Sequence, residues 1–188
     1  MKHLPQRREI STLPAEAAFC GWFSVLKWLK DSECLLSNES INSAAKGSQL
    51  EVLKWLSDQG LSCDEETFQS AAEGSDFEVL KWLKRKGCPW DELCCASAAE
   101  WGHLEVLKWL REEGCPWSEF TIESAAAMGN LAILKWAKES GCIWNDFAFS
   151  EAAKYGQLEV LKWRENQCPE TESSLYVVAE AGQLEILQ

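Results

Sequence analysis

Histidine is nearly missing from this chain: His3 and His103 are the only two among 188 residues. Triad catalysis and most zinc sites lean on that side chain, and two histidines so far apart cannot furnish a paired site. Nine cysteines are present, yet none are spaced Cys-x-x-Cys, and the adjacent Cys94 and Cys95 read as packed thiols. No Gly-x-Gly-x-x-Gly turn and no phosphate-loop lysine occur, so no cofactor or metal is expected and no catalytic residue can be assigned. Clustered positive charge is also scarce. Against 30 acidic residues stand 18 basic ones, for a net charge of −12, and no basic stretch exceeds the run from Lys2 to Arg8. Nucleic acid and anionic membranes both need concentrated positive charge, so neither is expected as a partner; a neutral or basic protein surface fits better. No apolar run suits a membrane span or a signal peptide, and no alternating run of β-branched residues is long enough for a strand. These absences predict an all-α, non-enzymatic chain in a reducing compartment, the cytoplasm or nucleus.

What is present is a period. Trp28, Trp55, Trp82, Trp109, Trp136 and Trp163 follow one another at 27-residue intervals, and the Ala-Ala pairs beginning at Ala17, Ala44, Ala71, Ala98, Ala125 and Ala152 keep the same interval. A fixed period between about 20 and 50 residues marks a solenoid, in which one supersecondary unit stacks on copies of itself. The chain therefore reads as a single repeat domain over 1–188 with about seven units. A partial one at 11–36 is followed by 37–63, 64–90, 91–117, 118–144, 145–170 and a truncated one at 171–188.

Each unit opens on a good helix N-cap, in the column Ser37, Asp64, Asp91, Ser118, Asn145 and Thr171. In most repeats a carboxylate follows and meets the positive end of the helix dipole. The first helix runs through the Ala-Ala pair, whose small side chains let two helices approach closely. Trp90, Trp117 and Trp144 precede their caps at the spacing of a hydrophobic staple to the fourth residue past the cap. The second helix carries a broad apolar face, as in Leu50, Val52, Leu53, Trp55 and Leu56, so Trp109 and Trp136 read as core. Gly60, Gly87, Gly114 and Gly141 end it by permitting a left-handed residue. The column Cys34, Cys88, Cys115, Cys142 and Cys168 is not a disulfide ladder. Packed helices lie roughly 8 to 10 Å apart, whereas a bridge needs Cα atoms within about 7 Å.

The run Ala-Ala-x-x-Gly-x-Leu-Glu-Val-Leu-Lys-x-Leu, followed by Gly and seen whole at Ala98 to Gly114, resembles the helical part of an ankyrin repeat. The resemblance covers Ala15 to Gln188. It departs from the family in length, since a typical ankyrin unit has about 33 residues and a Thr-Pro-Leu-His motif; here that tetrapeptide is replaced, for example by Glu66, Thr67, Phe68 and Gln69. The protruding β-hairpin of the family should thus be shortened to a loop. The Gly-Cys-Pro-Trp connection at Gly87 and Gly114 is similar to short, Trp-rich ankyrin arrays of large DNA viruses and some unicellular eukaryotes. The resemblance implies protein binding on a concave face lined by first helices, with no substrate or cofactor.

The pattern breaks at both ends. Repeat 1 has Ile10 at the cap position, and Thr12 with Pro14 stands in as the start of its first helix. Near the other end Trp163 runs directly into Arg164, so a leucine reads as deleted, and the final helix carries Leu184, Ile186 and Leu187 at its edge. That edge offers a second reading, self-association of a structural repeat protein.

On the expected concave face two columns turn apolar in the same three repeats: Glu39, Glu66, Leu93, Phe120, Phe147 and Ser173, and Gly47, Gly74, Trp101, Met128, Tyr155 and Ala181. The variable Ala96, Glu123 and Ser150 lie between them. Two arrangements are open: a contiguous apolar strip of several hundred Å² that binds a partner, or burial of these residues because the shortened connection tilts them into the stack. The first reading makes Leu93, Ala96, Trp101, Phe120, Glu123, Met128, Phe147, Ser150 and Tyr155 the candidate site on a protein-binding or peptide-binding scaffold.

Overall fold

Twenty-seven residues suffice for two short helices and two connections, and the helices repeat in that order. The computed structural model describes residues 7–142 and 144–167; the proposed seventh repeat at 171–188, its apolar edge and Cys168 lie outside them. First helices are α1 (Arg7–Phe19), α3 (Asn38–Lys46), α5 (Glu65–Gly74), α7 (Glu92–Glu100), α9 (Glu119–Ala127) and α11 (Asp146–Lys154). Second helices are α2 (Phe23–Asp31), α4 (Leu50–Asp58), α6 (Phe77–Lys86), α8 (Leu104–Glu112), α10 (Leu131–Glu139) and α12 (Leu158–Gln167). Among the described residues there is no strand, so the hairpin fingers are absent as expected. No described helix is long and apolar enough to cross a membrane.

The helices fall into two compact units that part between Trp90 and Asp91. In the first, α1, α3 and α5 lie side by side, each packed on its own second helix. In the second, α7, α9 and α11 do the same with α8, α10 and α12. Both units bury every Ala-Ala pair, from Ala17 and Ala18 to Ala152 and Ala153. A methyl group is the largest side chain that fits where first helices meet at that distance. The second helices contribute Val52, Leu53 and Leu56, and their equivalents Val106, Leu107 and Leu110, all buried.

The tryptophans of the period are less buried than a core column requires. Trp28 is 62% exposed, Trp82 is buried, and Trp55, Trp109, Trp136 and Trp163 are half-buried. They stand at the rim of the apolar face, where a large ring covers its neighbours with one side and meets water with the other. Trp136 receives the edge of Trp117 at a centroid distance of 5.7 Å, and Trp163 that of Trp144 at 5.8 Å. Trp90 packs against Phe68 at 5.2 Å. That partner is the fourth residue past the cap Asp64 and not the Cys95 that a staple at Asp91 would engage, so this contact lies within the unit 64–90.

Caps form where the side chain can reach. Asp64 accepts from the Thr67 amide at 3.0 Å while Thr67 Oγ1 accepts from the Asp64 amide, a complete capping box. Asp91 and Asn145 also accept first-turn amides, but Ser37 and Ser118 make no such bond. The αL residue that ends α6 is Gly87, at φ 75°. Helix α1 begins at Arg7 rather than at Thr12, and Pro14 sits inside it, where it cannot donate to the carbonyl one turn back. Helix α12 runs on through the half-buried Arg164 to Gln167.

The fully buried leucines should therefore matter more than the periodic tryptophans. Leu107→Ala should lower stability by about 2–5 kcal/mol, and Trp109→Ala by less than the ~3–5 kcal/mol of a fully buried aromatic. Urea unfolding followed by circular dichroism measures both, and equal or reversed losses would restore the tryptophan to the core.

Candidate functional site

Three neighbouring first helices of the second unit carry the same decoration. Leu93, Phe120 and Phe147 are the second residues of α7, α9 and α11, and Trp101, Met128 and Tyr155 are the residues that close them. All six are in solvent: Leu93 39%, Phe120 48%, Phe147 73%, Trp101 52%, Met128 45% and Tyr155 52% exposed. They are not tilted into the stack.

They do not form one strip either. The members of each pair are eight residues apart, which is about 12 Å along a helix rising ~1.5 Å per residue. The result is two apolar rows separated by a trough of small and polar residues. Ala96, expected on the surface, is only 6% exposed and belongs to the packing behind the trough. Its position lies next to the helix–helix contact that Ala98 and Ala99 make. Glu123 is half-buried and its carboxylate accepts from Asn145 Nδ2 at 2.8 Å. The Ser150 hydroxyl donates to the Asp146 carbonyl at 3.0 Å, inside its own helix. Both are held in place by neighbours, in the floor between the rows.

In the first unit the two columns have another chemistry. Glu39 and Glu66 are exposed carboxylates at the N-terminal position. At the C-terminal position Gly47 and Gly74 are pressed against the carbonyls of Phe19 and Lys46, so that a Cβ on either would collide with backbone of the preceding first helix. A side chain of any size is therefore excluded there.

Two sets of contacts were not read from the sequence. Asn130 Nδ2 donates to the carbonyls of Ala99 and Glu100 at 2.6 and 3.2 Å, and Gln157 Nε2 donates to the Ala127 carbonyl at 2.8 Å. Each reaches back to the previous first helix, whose last carbonyls have no intrahelical donor, and fixes the end of the helix beside the Trp101 and Met128 positions. Sequence spacing gives no sign of this, because the acceptors are backbone. The second set belongs to the cysteine column. Cys88 and Cys115 donate through sulfur to the carbonyls of Asp64 and Asp91, each at 3.2 Å, tying the loop to the preceding N-cap residue.

The described cysteines are all free thiols. Cys94 is held far above the usual thiol range, by its hydrogen bond with Cys115 first and by burial second. Cys115 is pushed up to about 12: the bond with Cys94 lowers it, while contact with Cys95 and burial outweigh that effect. Among the described residues no three His, Cys, Asp or Glu side chains converge as metal ligands. A cleft of about 240 Å³ lies against the second helices, lined by Ile122, Leu134, Cys142, Trp144 and Trp163 with Lys138 and Arg164. The Trp144 indole N–H is buried there without an acceptor among the described residues.

Comparison with known proteins agrees on architecture. No family model matches the chain, and no curated protein does. Among solved structures, a human ASB11 ankyrin repeat domain is similar at 18% identity and a TM-score of 0.59, over 90% of this chain and 83% of that one. The pentatricopeptide repeat protein PPR10, solved with an 18-nucleotide RNA, is similar at 13% identity and a TM-score of 0.51, over 95% of this chain and 31% of that one.

Two outcomes test the placement of side chains. Native protein treated with iodoacetamide should be modified first at the exposed Cys20, with Cys94, Cys95 and Cys115 reacting only after unfolding, because a protonated, buried thiol is a poor nucleophile; early modification of Cys115, seen by peptide mass spectrometry, would contradict it. The double substitution Phe120→Ser with Tyr155→Ser should shift stability by no more than about 0.5 kcal/mol per site, and a larger drop in melting temperature would mean that these rings are core.

The repeat of two antiparallel helices, the missing fingers and the similarity to ankyrin and pentatricopeptide structures together make this a helical repeat solenoid of ankyrin-like type.

Proposed function

We propose that this chain is a non-catalytic scaffold that binds a protein or peptide across α7, α9 and α11. The observation that carries the reading is the pair of exposed apolar rows. Large apolar side chains left partly in water forgo part of the roughly 1.5–3 kcal/mol that full burial of each would give, and here they recur at two fixed positions in three consecutive repeats, four of the six being aromatic. Stability does not call for them, because Glu39 and Glu66 fill one of the same positions in other repeats. A protein interface uses such residues as its anchors, with aromatics prominent among them.

The RNA in the PPR10 structure raises nucleic acid as a rival, and charge argues against it. Glu92, Glu100, Glu119, Glu123, Asp146 and Glu151 stand on α7, α9 and α11, opposed only by Lys154. Phosphate binding requires the opposite balance. A structural role through self-association is the other reading, and sedimentation separates it: the scaffold should remain a monomer across concentrations.

Affinity capture with the wild type and with the Phe120→Ser, Tyr155→Ser variant decides the matter. Partners retained by the wild type should be lost from the variant by about tenfold or more, since truncating two anchors removes at least ~2 kcal/mol. Equal capture by a folded variant would remove the face from consideration.

A further inference from the structure

Two dimensions of the second unit constrain what can lie on it. The apolar rows stand about 12 Å apart along the helix axes, and each extends over α7, α9 and α11, neighbours at roughly 8–10 Å spacing, so each row is about 20 Å long. An α-helix with side chains is about 10–12 Å across, and about 20 Å of it is some 13 residues. An extended strand is narrower at its backbone and would span the rows only through side chains alternating to its two sides. The floor between the rows carries the buried Ala96 and Ala127, the half-buried Ser97, Ser124 and Ser150, and Glu123, whose half-buried carboxylate is held by Asn145, so most of it is low enough for a cylindrical body to settle between the rows.

Charge selects among helices. The three first helices carry the six carboxylates named above against Lys154, and Lys154 is already paired with Glu151 at 3.3 Å. Glu119 and Asp146 are exposed in the first turns beside Phe120 and Phe147, and Glu100 is exposed beside Trp101. The rows are thus apolar, with carboxylates exposed along the margins and Glu123, already bonded to Asn145, in the floor between them.

Resting on the protein-binding reading above, we propose that the occupant is a basic amphipathic helix of about 13 residues, lying across α7, α9 and α11 with apolar side chains against both rows and lysines or arginines over the margins. The helix-in-groove mode meets its receptor through anchors at helical spacing, and here two facing rows replace a single groove wall. Attraction to the margins makes binding sensitive to salt.

Three synthetic peptides of 14 residues test this, titrated into the whole chain and followed by tryptophan fluorescence and by isotope-edited NMR. The first places leucine and lysine at helical period. The second has the same composition at a period of two, as in a strand. The third replaces every lysine of the first by glutamate. The first should bind, become helical when bound and shift the Trp101 indole signal; the other two should bind at least about tenfold more weakly. The Phe120→Ser, Tyr155→Ser variant keeps every charge, so a general attraction to an acidic protein would survive in it, whereas binding between the rows should fall about tenfold or more. If the period-two isomer binds as well as the helical one and is lost in the variant, the helix proposal is overturned while the protein-binding face stands. If no peptide distinguishes wild type from variant, or if an 18-nucleotide single-stranded RNA binds at the rows instead, both fail.

Discussion

The close approach of first helices at the Ala-Ala pairs is the constraint on which the other features depend. Both alanines of every pair are buried, and nothing larger than a methyl group fits without pushing two helices apart. With the helices fixed at that spacing, the residue closing each first helix also comes near the preceding repeat. In the first unit the approach is so tight at Gly47 and Gly74 that a Cβ would meet backbone. In the second unit Trp101, Met128 and Tyr155 occupy the same position and point into solvent. In the second unit the same position thus tolerates large side chains, whereas in the first the helix–helix contact at Gly47 and Gly74 excludes them.

The repeat, the helix boundaries and the lack of strands were legible in the sequence because each depends on local chemistry: cap residues, helical spacing of apolar side chains, glycine at the stops. The site was legible for a related reason. Columns that face a neighbour keep one kind of residue in every repeat, as the alanines do, whereas the column Glu39, Glu66, Leu93, Phe120 and Phe147 changes chemistry, which only a solvent position tolerates. Whether those residues were exposed or tilted inward could not be read, since that depends on the angle at which repeats stack. Ala96 was misplaced by the same angle. The tryptophans were misplaced for another reason: periodicity shows that a residue is used in the same way in each repeat, not that it is enclosed. Their rings pack edge-on at the rim, with Trp117 on Trp136 and Trp144 on Trp163.

What escaped sequence reading altogether is the set of contacts from side chain to distant backbone. Asn130 and Gln157 hold carbonyls about one repeat back, at Ala99 and Ala127. Cys88 and Cys115 hold the carbonyls of the previous N-cap residues. A thiol is small enough for the tight loop and polar enough to donate weakly, which accounts for a cysteine at that position better than metal or disulfide chemistry does. In a unit of 27 residues no strand is left among the described residues to join one repeat to the next; Asn130 and Gln157 add to the first-helix packing between repeats, while the cysteines tie the loop within each.

The same economy explains why binding chemistry is confined to a few positions. Most of each 27-residue unit is committed to caps, alanine contacts, leucine packing and turns, and a substitution there destabilises the neighbours as well. The two ends of a first helix on its solvent side remain. A partner that contacts only those ends must reach two rows about 12 Å apart at once, so shape and charge are specified by where variation is permitted. Repeats two and three place carboxylates at one of those ends and glycine at the other; the second unit places large apolar side chains at both. Each unit presents its own chemistry at the N-terminal end of its first helices, whereas at the other end the close approach at Gly47 and Gly74 leaves the first unit no room for a side chain.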